Sequence, residues 1–402
     1  MNRVPKLRFK EFSGEWEEKK LETIIKKYED PIETPTEGYM RLGLRSHAKG
    51  TFHSYVEKGK ELETAKMFRV APNKFILNIT FAWEHAVAIT SEEDSGMLVS
   101  HRFPQFSFDE TIFPLFFGYL ILDKKFKNHL ELSSPGGAGR NRVLKIKEML
   151  EYKMKFPSKK EQEKIITFLS SVDRKISITE EKLDLFKEYK KGILQKIFKQ
   201  ELRFKDNKGN DYPKWEEKRL GDLGKFYRGH SYNSNNVIEN GLLVLRSNNI
   251  QENKIVYNDL QFVNKPCKKE ILLKDKDIII CMANGSKKLV GKTGEYKQNN
   301  FYKEITIGAF CSIFRTDYNI AKFLFQTKKY YDKISLMLEG TNINNLKNSS
   351  LEEIIFNIPT SLEEQQKIAD FLSSIDKKID KLAAELEDLK EFKKGLLQQM
   401  FV

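Results

Sequence analysis

Glu161-Gln162-Glu163-Lys164-Ile165, followed by Phe168-Leu169-Ser170-Ser171-Val172-Asp173, returns as Glu364-Gln365-Gln366-Lys367-Ile368 and Phe371-Leu372-Ser373-Ser374-Ile375-Asp376. Phe168 recurring as Phe371 fixes an offset of 203 residues, and the copies align without a gap as far as Phe198 and Phe401, with about half of the positions identical. Within the second copy Ile368, Leu372, Ile375, Ile379, Leu382, Leu386, Leu389, Leu396 and Met400 follow the alternating four-and-three spacing of a coiled-coil seam. The first copy repeats it with Ile165, Leu169, Val172, Ile176, Leu183, Phe186, Ile193 and Ile197. Lys190 and Lys393 occupy one equivalent seam position, and Thr179 interrupts the first seam where the second has Leu382. Such polar positions cost stability and fix register. Pro157 then Ser158-x-x-Glu161, and Pro359 then Ser361-x-x-Glu364, predict a capping box at the start of each helix.

The repeat extends beyond the helices. Leu7-Arg8-Phe9-Lys10 and Trp16 to Leu21 open the first half as Leu202-Arg203-Phe204-Lys205 and Trp215 to Leu220 open the second. Each half is thus a globular segment and one long helix, giving segments 1–156, 157–200, 201–358 and 359–402. Inside the globular segments identity falls while the order of features persists. Short apolar strands end in Arg45-Ser46 and Arg246-Ser247; turns lead into buried strands at Val70 to Asn78 and Leu273 to Cys281. A helix-like apolar stretch follows from Phe113 to Phe126 and from Ile320 to Leu338, and a loop of small residues closes each segment. The fold class read from this is α+β: two tandem mixed α/β domains, each followed by a long helix, the two helices pairing as an antiparallel coiled coil. Some 37 helical residues span roughly 55 Å, enough for sites one duplex turn apart, about 34 to 36 Å.

Across 402 residues, 70 Lys and Arg against 57 Asp and Glu leave a formal charge of +13. That favours an acidic polymer as partner, nucleic acid ahead of a membrane surface, over a basic protein with no such partner. Cys267, Cys281 and Cys311 lack C-x-x-C spacing and are read as reduced core residues. With no signal-type segment at Met1 to Lys6 and no apolar run near the roughly 18 residues of a membrane span, a cytoplasmic location is the expectation.

The tandem order of variable segment and repeated helix, with Pro then Glu-Gln-x-Lys-Ile then Phe-Leu-Ser-Ser-(Val/Ile)-Asp in both copies, resembles the DNA specificity subunit of type I restriction-modification systems along essentially the whole chain. The opening Trp-x-x-x-x-Leu is also typical of that family. The resemblance implies that each globular unit is a target-recognition domain reading one half of a split double-stranded DNA site. It also implies that the paired helices set the gap and dock two methyltransferase subunits, joined by two restriction subunits. S-adenosylmethionine, ATP and Mg would then belong to those partners, with no cofactor and no catalysis in this chain.

The residues agree with a non-catalytic role. An Asn/Asp-Pro-Pro-Tyr/Phe methyltransferase loop is missing, since the sequence has no Pro-Pro pair. Gly285 to Thr293 misses phosphate-loop spacing by one residue, and no apolar helix follows Thr293. The six histidines show no metal-ligand spacing, so no metal site is expected. Reading bases requires Arg, Lys, Asn, Gln or Ser at groove edges. In the first domain the candidates are Arg45, Ser46, His47, Lys49, His85, Arg140 and Arg142. In the second they are Arg246, Asn248, Asn249, Asn284, Ser286, Lys287, Lys288, Lys292, Thr341, Asn342 and Asn344. Aligning the two loops sets Trp83-Glu84-His85 opposite Asn284-Gly285-Ser286, so an asymmetric site is expected; Trp83 itself reads as a core residue. Two other readings stay open from the residues: a coiled-coil adaptor whose heads bind proteins, and an enzyme with a cryptic nuclease or methyltransferase activity.

Overall fold

The computed structural model describes residues 4–62, 64, 66–136, 142–298, 301–339 and 344–402. The chain divides into two compact units, Met1–Glu180 with Glu385–Val402, and Glu181–Ala384. Each combines one globular head with a piece of both long helices, Lys159–Phe198 and Leu362–Met400.

In the first unit a four-stranded sheet runs in the order Ile25–Tyr28, Gln105–Phe108, Phe75–Leu77, Val87–Ile89. A five-stranded sheet runs Pro31–Glu33, Lys66–Arg69, Leu98–Val99, Tyr39–Leu44, Thr51–Val56. The expected turn and buried strand are present: Asn73 takes a left-handed φ of 58°, and all three residues of Phe75–Leu77 are fully buried. Phe75 and Leu77 face the main core and Ile76 a second, smaller one, because alternate strand residues point to opposite faces. The apolar stretch read as one helix is two, Pro114–Leu120 and Lys124–Leu132. Asp123 separates them, its carboxylate capping the second by accepting from Lys125 N at 3.2 Å.

The second unit uses the same devices. A six-stranded sheet is ordered Lys225–Arg228, Cys311–Arg315, Ile278–Cys281, Thr293–Glu295, Lys254–Ile255, Ile250–Gln251. A four-stranded one is ordered Val237–Ile238, Gln261–Val263, Leu242–Leu245, Ile305–Ile307. Lys276 repeats the left-handed turn at φ 68°. Ile278 and Ile280 then face one core, Ile279 and Cys281 another. The helical stretch again divides, into Ala321–Leu324 and Lys328–Leu338. Here Thr327 is the cap, accepting from Tyr330 N at 3.2 Å. Cys281 and Cys311 are buried free thiols and Cys267 is half-buried.

The long helices pair antiparallel inside each unit. In the first, Asp173 meets Lys393 at 2.5 Å and Glu180 meets Lys390 at 2.6 Å, the partner number falling as the residue number rises. The apolar stripe does more than line a seam between helices, however. Ile165, Leu169 and Val172 are buried in the first head's core with Trp16 and Phe116, and Leu396 and Met400 of the other helix join them, while Ile176 packs at its edge. Ile368, Leu372 and Ile375 lie in the second head's core with Leu194, and Ile193 and Ile379 pack against it. Of the remaining predicted seam positions, Leu183 and Leu382 are buried and Leu386 and Leu389 half-buried. Heptad spacing identifies an apolar stripe but not the surface that covers it. Thr179 is buried with its hydroxyl donating to Lys175 O at 2.8 Å, the back-bond that lets a hydroxyl sit inside a helix interface.

The predicted capping boxes are half made. Ser158 Oγ and Ser361 Oγ accept from Glu161 N at 3.4 Å and Glu364 N at 3.3 Å. The two carboxylates are engaged elsewhere. Buried Glu161 accepts from Arg8 Nε and Nη2, both at 2.8 Å, and from Trp16 Nε1 at 3.3 Å. Buried Glu364 accepts from Arg203 Nε at 3.1 Å and Nη2 at 2.8 Å, and from Trp215 Nε1 at 3.1 Å. The repeated Leu-Arg-Phe-Lys, Trp-x-x-x-x-Leu and Glu-Gln motifs therefore form one lock per unit, clamping a head onto its long helix.

Candidate nucleic-acid interface

Three loops converge on each head. In the second, the loop after Leu242–Leu245 is joined to the loop after Ile278–Cys281 by Asn284 Nδ2, which donates to Ser247 Oγ at 3.3 Å. The closing loop adds Asn344, whose carbonyl accepts from Asn284 N at 3.3 Å and whose Nδ2 donates to Gly285 O at 3.1 Å. Asn284 Oδ1 accepts from Ser286 N at 3.0 Å, holding the turn that exposes Ser286, Lys287 and Lys288. Arg246 Nη2 and Asn248 Nδ2 each donate to Asp259 Oδ2 at 2.8 Å, so the Arg246 charge is already matched. Lys292 Nζ donates to Ile250 O at 2.9 Å and Lys287 Nζ to Leu338 O at 3.2 Å.

In the first head, His47 N and Ala48 N donate to Glu84 O and His85 O, both at 2.8 Å, and Ser46 Oγ donates to Glu84 Oε2 at 2.5 Å. His47 and Ala48 take left-handed φ values of 62° and 51°, which turn the loop outward with His47 and Lys49 exposed. Exposed Arg45 donates to Thr51 O and stacks 5.4 Å from the Phe52 ring. From the closing loop, Arg142 lies 5.3 Å from the Trp83 ring and bonds Glu131 Oε1 at 3.4 Å. Trp83 is half-buried and anchored by donation from Nε1 to Thr80 O at 3.1 Å. Ser46, Phe52, Asn78, Phe81, Glu84 and Phe103 line an open groove at this convergence.

Two expected DNA contacts are core residues instead. His85 is 5% exposed, its Nε2 bonded to Ile121 O at 2.7 Å, and burial lowers its pKa below the usual imidazole value. Asn249 is fully buried and ties its own loop together, accepting from Arg246 N at 2.9 Å and donating to Asn258 O at 2.7 Å. Arg140, Thr341 and Asn342 lie outside the described residues. Thr293 opens the strand Thr293–Glu295 rather than a helix. Among the described residues no cluster of His, Cys, Asp and Glu is placed to hold a metal ion, and no helix is long and apolar enough to cross a membrane.

The loop alignment read from sequence shifts by two residues. Leu144 N donates to Ile79 O, and Leu346 N to Met282 O, each at 2.8 Å. Ile79 therefore matches Met282, and Phe81 rather than Trp83 matches Asn284. The same frame exposes two residues that composition did not single out. Ile79 N donates to Arg102 O at 2.9 Å, and Met282 N donates to Phe310 O at 2.8 Å. Arg102 and Phe310 are thus counterparts, both exposed beside these loops.

A sequence profile described as the type I restriction modification DNA specificity domain matches residues 15–187 and 212–391. The chain belongs to the type I restriction-modification specificity family. It is 32% identical over 204 residues to the StySPI specificity subunit of Salmonella potsdam, spanning 48% of this chain and 43% of that one. With the EcoKI specificity subunit of Escherichia coli K12 the identity is 35% over 183 residues, 42% and 39% of the two chains. The chain thus spans less than half the length of either relative. The MjaVIII specificity subunit of Methanocaldococcus jannaschii is 26% identical over 293 residues, 69% of this chain and 68% of that one. The fold is shared with the crystal structure of the type I S subunit from M. genitalium, at a TM-score of 0.61 and 15% identity over 99% of both chains. A chain from a study of complex assembly and conformational transition in the type I R-M system gives 0.57 and 16% over 96% and 97%. The tandem α+β architecture read from the internal repeat is that of the family.

Proposed function

We propose that this family member is the sequence-reading subunit of a type I complex, each head binding one half of a bipartite, asymmetric double-stranded DNA site. The observation that carries the reading is the doubled convergence of three loops rich in Arg, Lys, Asn and Ser. These loops differ between the heads while the locks beneath them, Arg8–Glu161–Trp16 and Arg203–Glu364–Trp215, are alike. A constant mounting with two unlike faces suits a reader of two unlike half-sites, and the charge of +13 suits a polyanion.

The paired helices set the spacer and dock two methyltransferase subunits, which two restriction subunits join. Tyr189 and Phe392, equivalent in the repeat, support the docking role: they are 50% and 54% exposed on the helices, and aromatic side chains are favoured interface anchors. The chain performs no catalysis itself; S-adenosylmethionine, ATP and Mg act in the partners, in the cytoplasm. Methylation-aware sequencing of host DNA with the gene intact and deleted tests the reading, and loss of adenine methylation at one split, asymmetric motif is expected. An unchanged methylome in a strain with functional partner subunits refutes it.

A further inference from the structure

The counterpart positions on the two heads carry opposite chemistries. Arg102 and Phe310 sit at one position, each held by donation to its carbonyl from the matching residue, Ile79 or Met282. Two residues beyond Ile79 and Met282 the second position holds Phe81 in the first head and Asn284 in the second. Phenylalanine and a polar residue thus exchange places between the heads, with the Asn284 amide taken up in bonds to Ser247 and Ser286 within its own loops.

Arg102 is exposed, and among the described residues its guanidinium has no ion-pair or hydrogen-bond partner, whereas Arg45, Arg69 and Arg142 of the same head are all engaged. Its backbone is fixed, with N donating to Ser100 Oγ at 3.4 Å in addition to the bond at its carbonyl. Phe310 is 68% exposed on a backbone fixed by donation from Met282 N at 2.8 Å and Ala283 N at 3.2 Å. A rigid backbone presenting an unengaged tip is the arrangement that base readout requires, because the side chain alone must adapt. The guanidinium fork matches guanine O6 and N7, and a phenyl ring makes apolar contact with the thymine methyl.

Building on the proposal that the heads read DNA, we infer that Arg102 and Phe310 are specificity-determining residues at one shared reading position. Arg102 selects guanine in one half-site and Phe310 selects thymine in the other. Phe81, exposed at the second position of the first head, adds an apolar contact to thymine one position away.

The test expresses the full chain with its methyltransferase partner and sequences the methylated sites for wild type, R102A, R102K, F310A and F310L. R102A is expected to relax one guanine position in one half-site roughly ten- to a hundredfold, leaving the other half unchanged. R102K keeps the charge but not the fork, so it should relax the same position while retaining salt-dependent affinity. F310A should relax a thymine position in the other half only, with F310L intermediate. Both residues are exposed, so melting temperatures should match wild type. A wild-type motif from R102A and F310A overturns the inference while leaving DNA reading intact. Uniform loss of affinity in R102A with every base preference kept also overturns it, because that assigns the residue to phosphate. No split motif from wild type defeats the underlying DNA-reading proposal instead.

Discussion

Lys190 Nζ lies 2.6 Å from Asp376 Oδ1 on the opposing helix, and the repeat-equivalent pair Lys393 and Asp173 meets at 2.5 Å in the other unit. Both lysines are seam positions, and both aspartates close the Phe-Leu-Ser-Ser-x-Asp motif. Each lysine also reaches its head: Lys190 donates to Gln326 Oε1 at 2.6 Å, and Lys393 lies 5.7 Å from the ring of Tyr119, whose hydroxyl donates to Asp173 at 2.9 Å. Reversing one charge, K190D, sets two carboxylates together at a part-buried site and is expected to destabilise the second unit by roughly 1–3 kcal/mol. The double reversal K190D/D376K should recover most of that loss in denaturant titration. A double variant no more stable than the single one argues against the pairing.

Glu161 and Glu364 are buried carboxylates, each held by an arginine fork and an indole N–H. Removing one partner of a buried ion pair leaves the other charge uncompensated, at about 3–5 kcal/mol. E364A is expected to lower the unfolding free energy of the second unit by that amount, and E161A that of the first. A loss below about 1 kcal/mol, the usual limit for an exposed pair, refutes the lock.

His85 gives the first unit a pH dependence. Burial depresses its folded pKa below the unfolded value near 6.5, so the unfolded chain binds the proton more readily. Stability is then fully present above about pH 6.5 and falls as the pH drops towards the lower folded value. Denaturation of wild type and H85Q at pH 7.5 and 5.5 should show a steeper acid loss in wild type. Equal slopes place the acid sensitivity elsewhere.

Tyr189 and Phe392 are expected to anchor the methyltransferase subunits. Y189A and F392A should each weaken association by about 1–2 kcal/mol, roughly tenfold, in sedimentation or co-purification, with the recognised half-sites unaltered. Wild-type association by the double variant removes these residues from the interface.

Inserting seven residues after Glu180 and seven after Ala384 lengthens both helices by one heptad, about 10 Å, or some three base pairs of rise. The methylated motif should keep both half-sites and gain about three base pairs of spacer. Altered half-sites with the original spacer refute the ruler.

The frame was readable because its signals lie along the chain: a helix start and an apolar period each fall within forty residues, and the repeat returns both 203 positions later. Their partners were not. Glu161 read as a capping-box residue because Arg8 and Trp16 lie about 150 residues away, and Ile165 read as seam because a period does not name the surface opposite. Within the heads, Ser286, Lys287 and Lys288 emerged exposed as their turn suggested, whereas His85 and Asn249 were indistinguishable in sequence from exposed loop polars. Arg102 and Phe310 escaped notice because their shared position is defined by backbone bonds to Ile79 and Met282, which only the fold supplies.

The first unit is assembled from two stretches that the whole second unit separates in sequence. Leu7 N donates to Gln399 O at 2.9 Å, and the ring of Phe401 lies 6.1 Å from Trp16 and 5.6 Å from Phe116. A ribosome therefore completes every residue of the second head before it delivers the side chains that finish the first head's core. Contacts of such long sequence separation form slowly, and a nascent first head waits with its apolar surface uncovered, a state that invites chaperones. A premature stop near residue 384 would strip Leu396, Met400 and Phe401 from the core of a head whose own segment was finished more than two hundred residues earlier. Truncated messages would thus yield a defective first head as well as a shortened helix, so that one lesion damages both units.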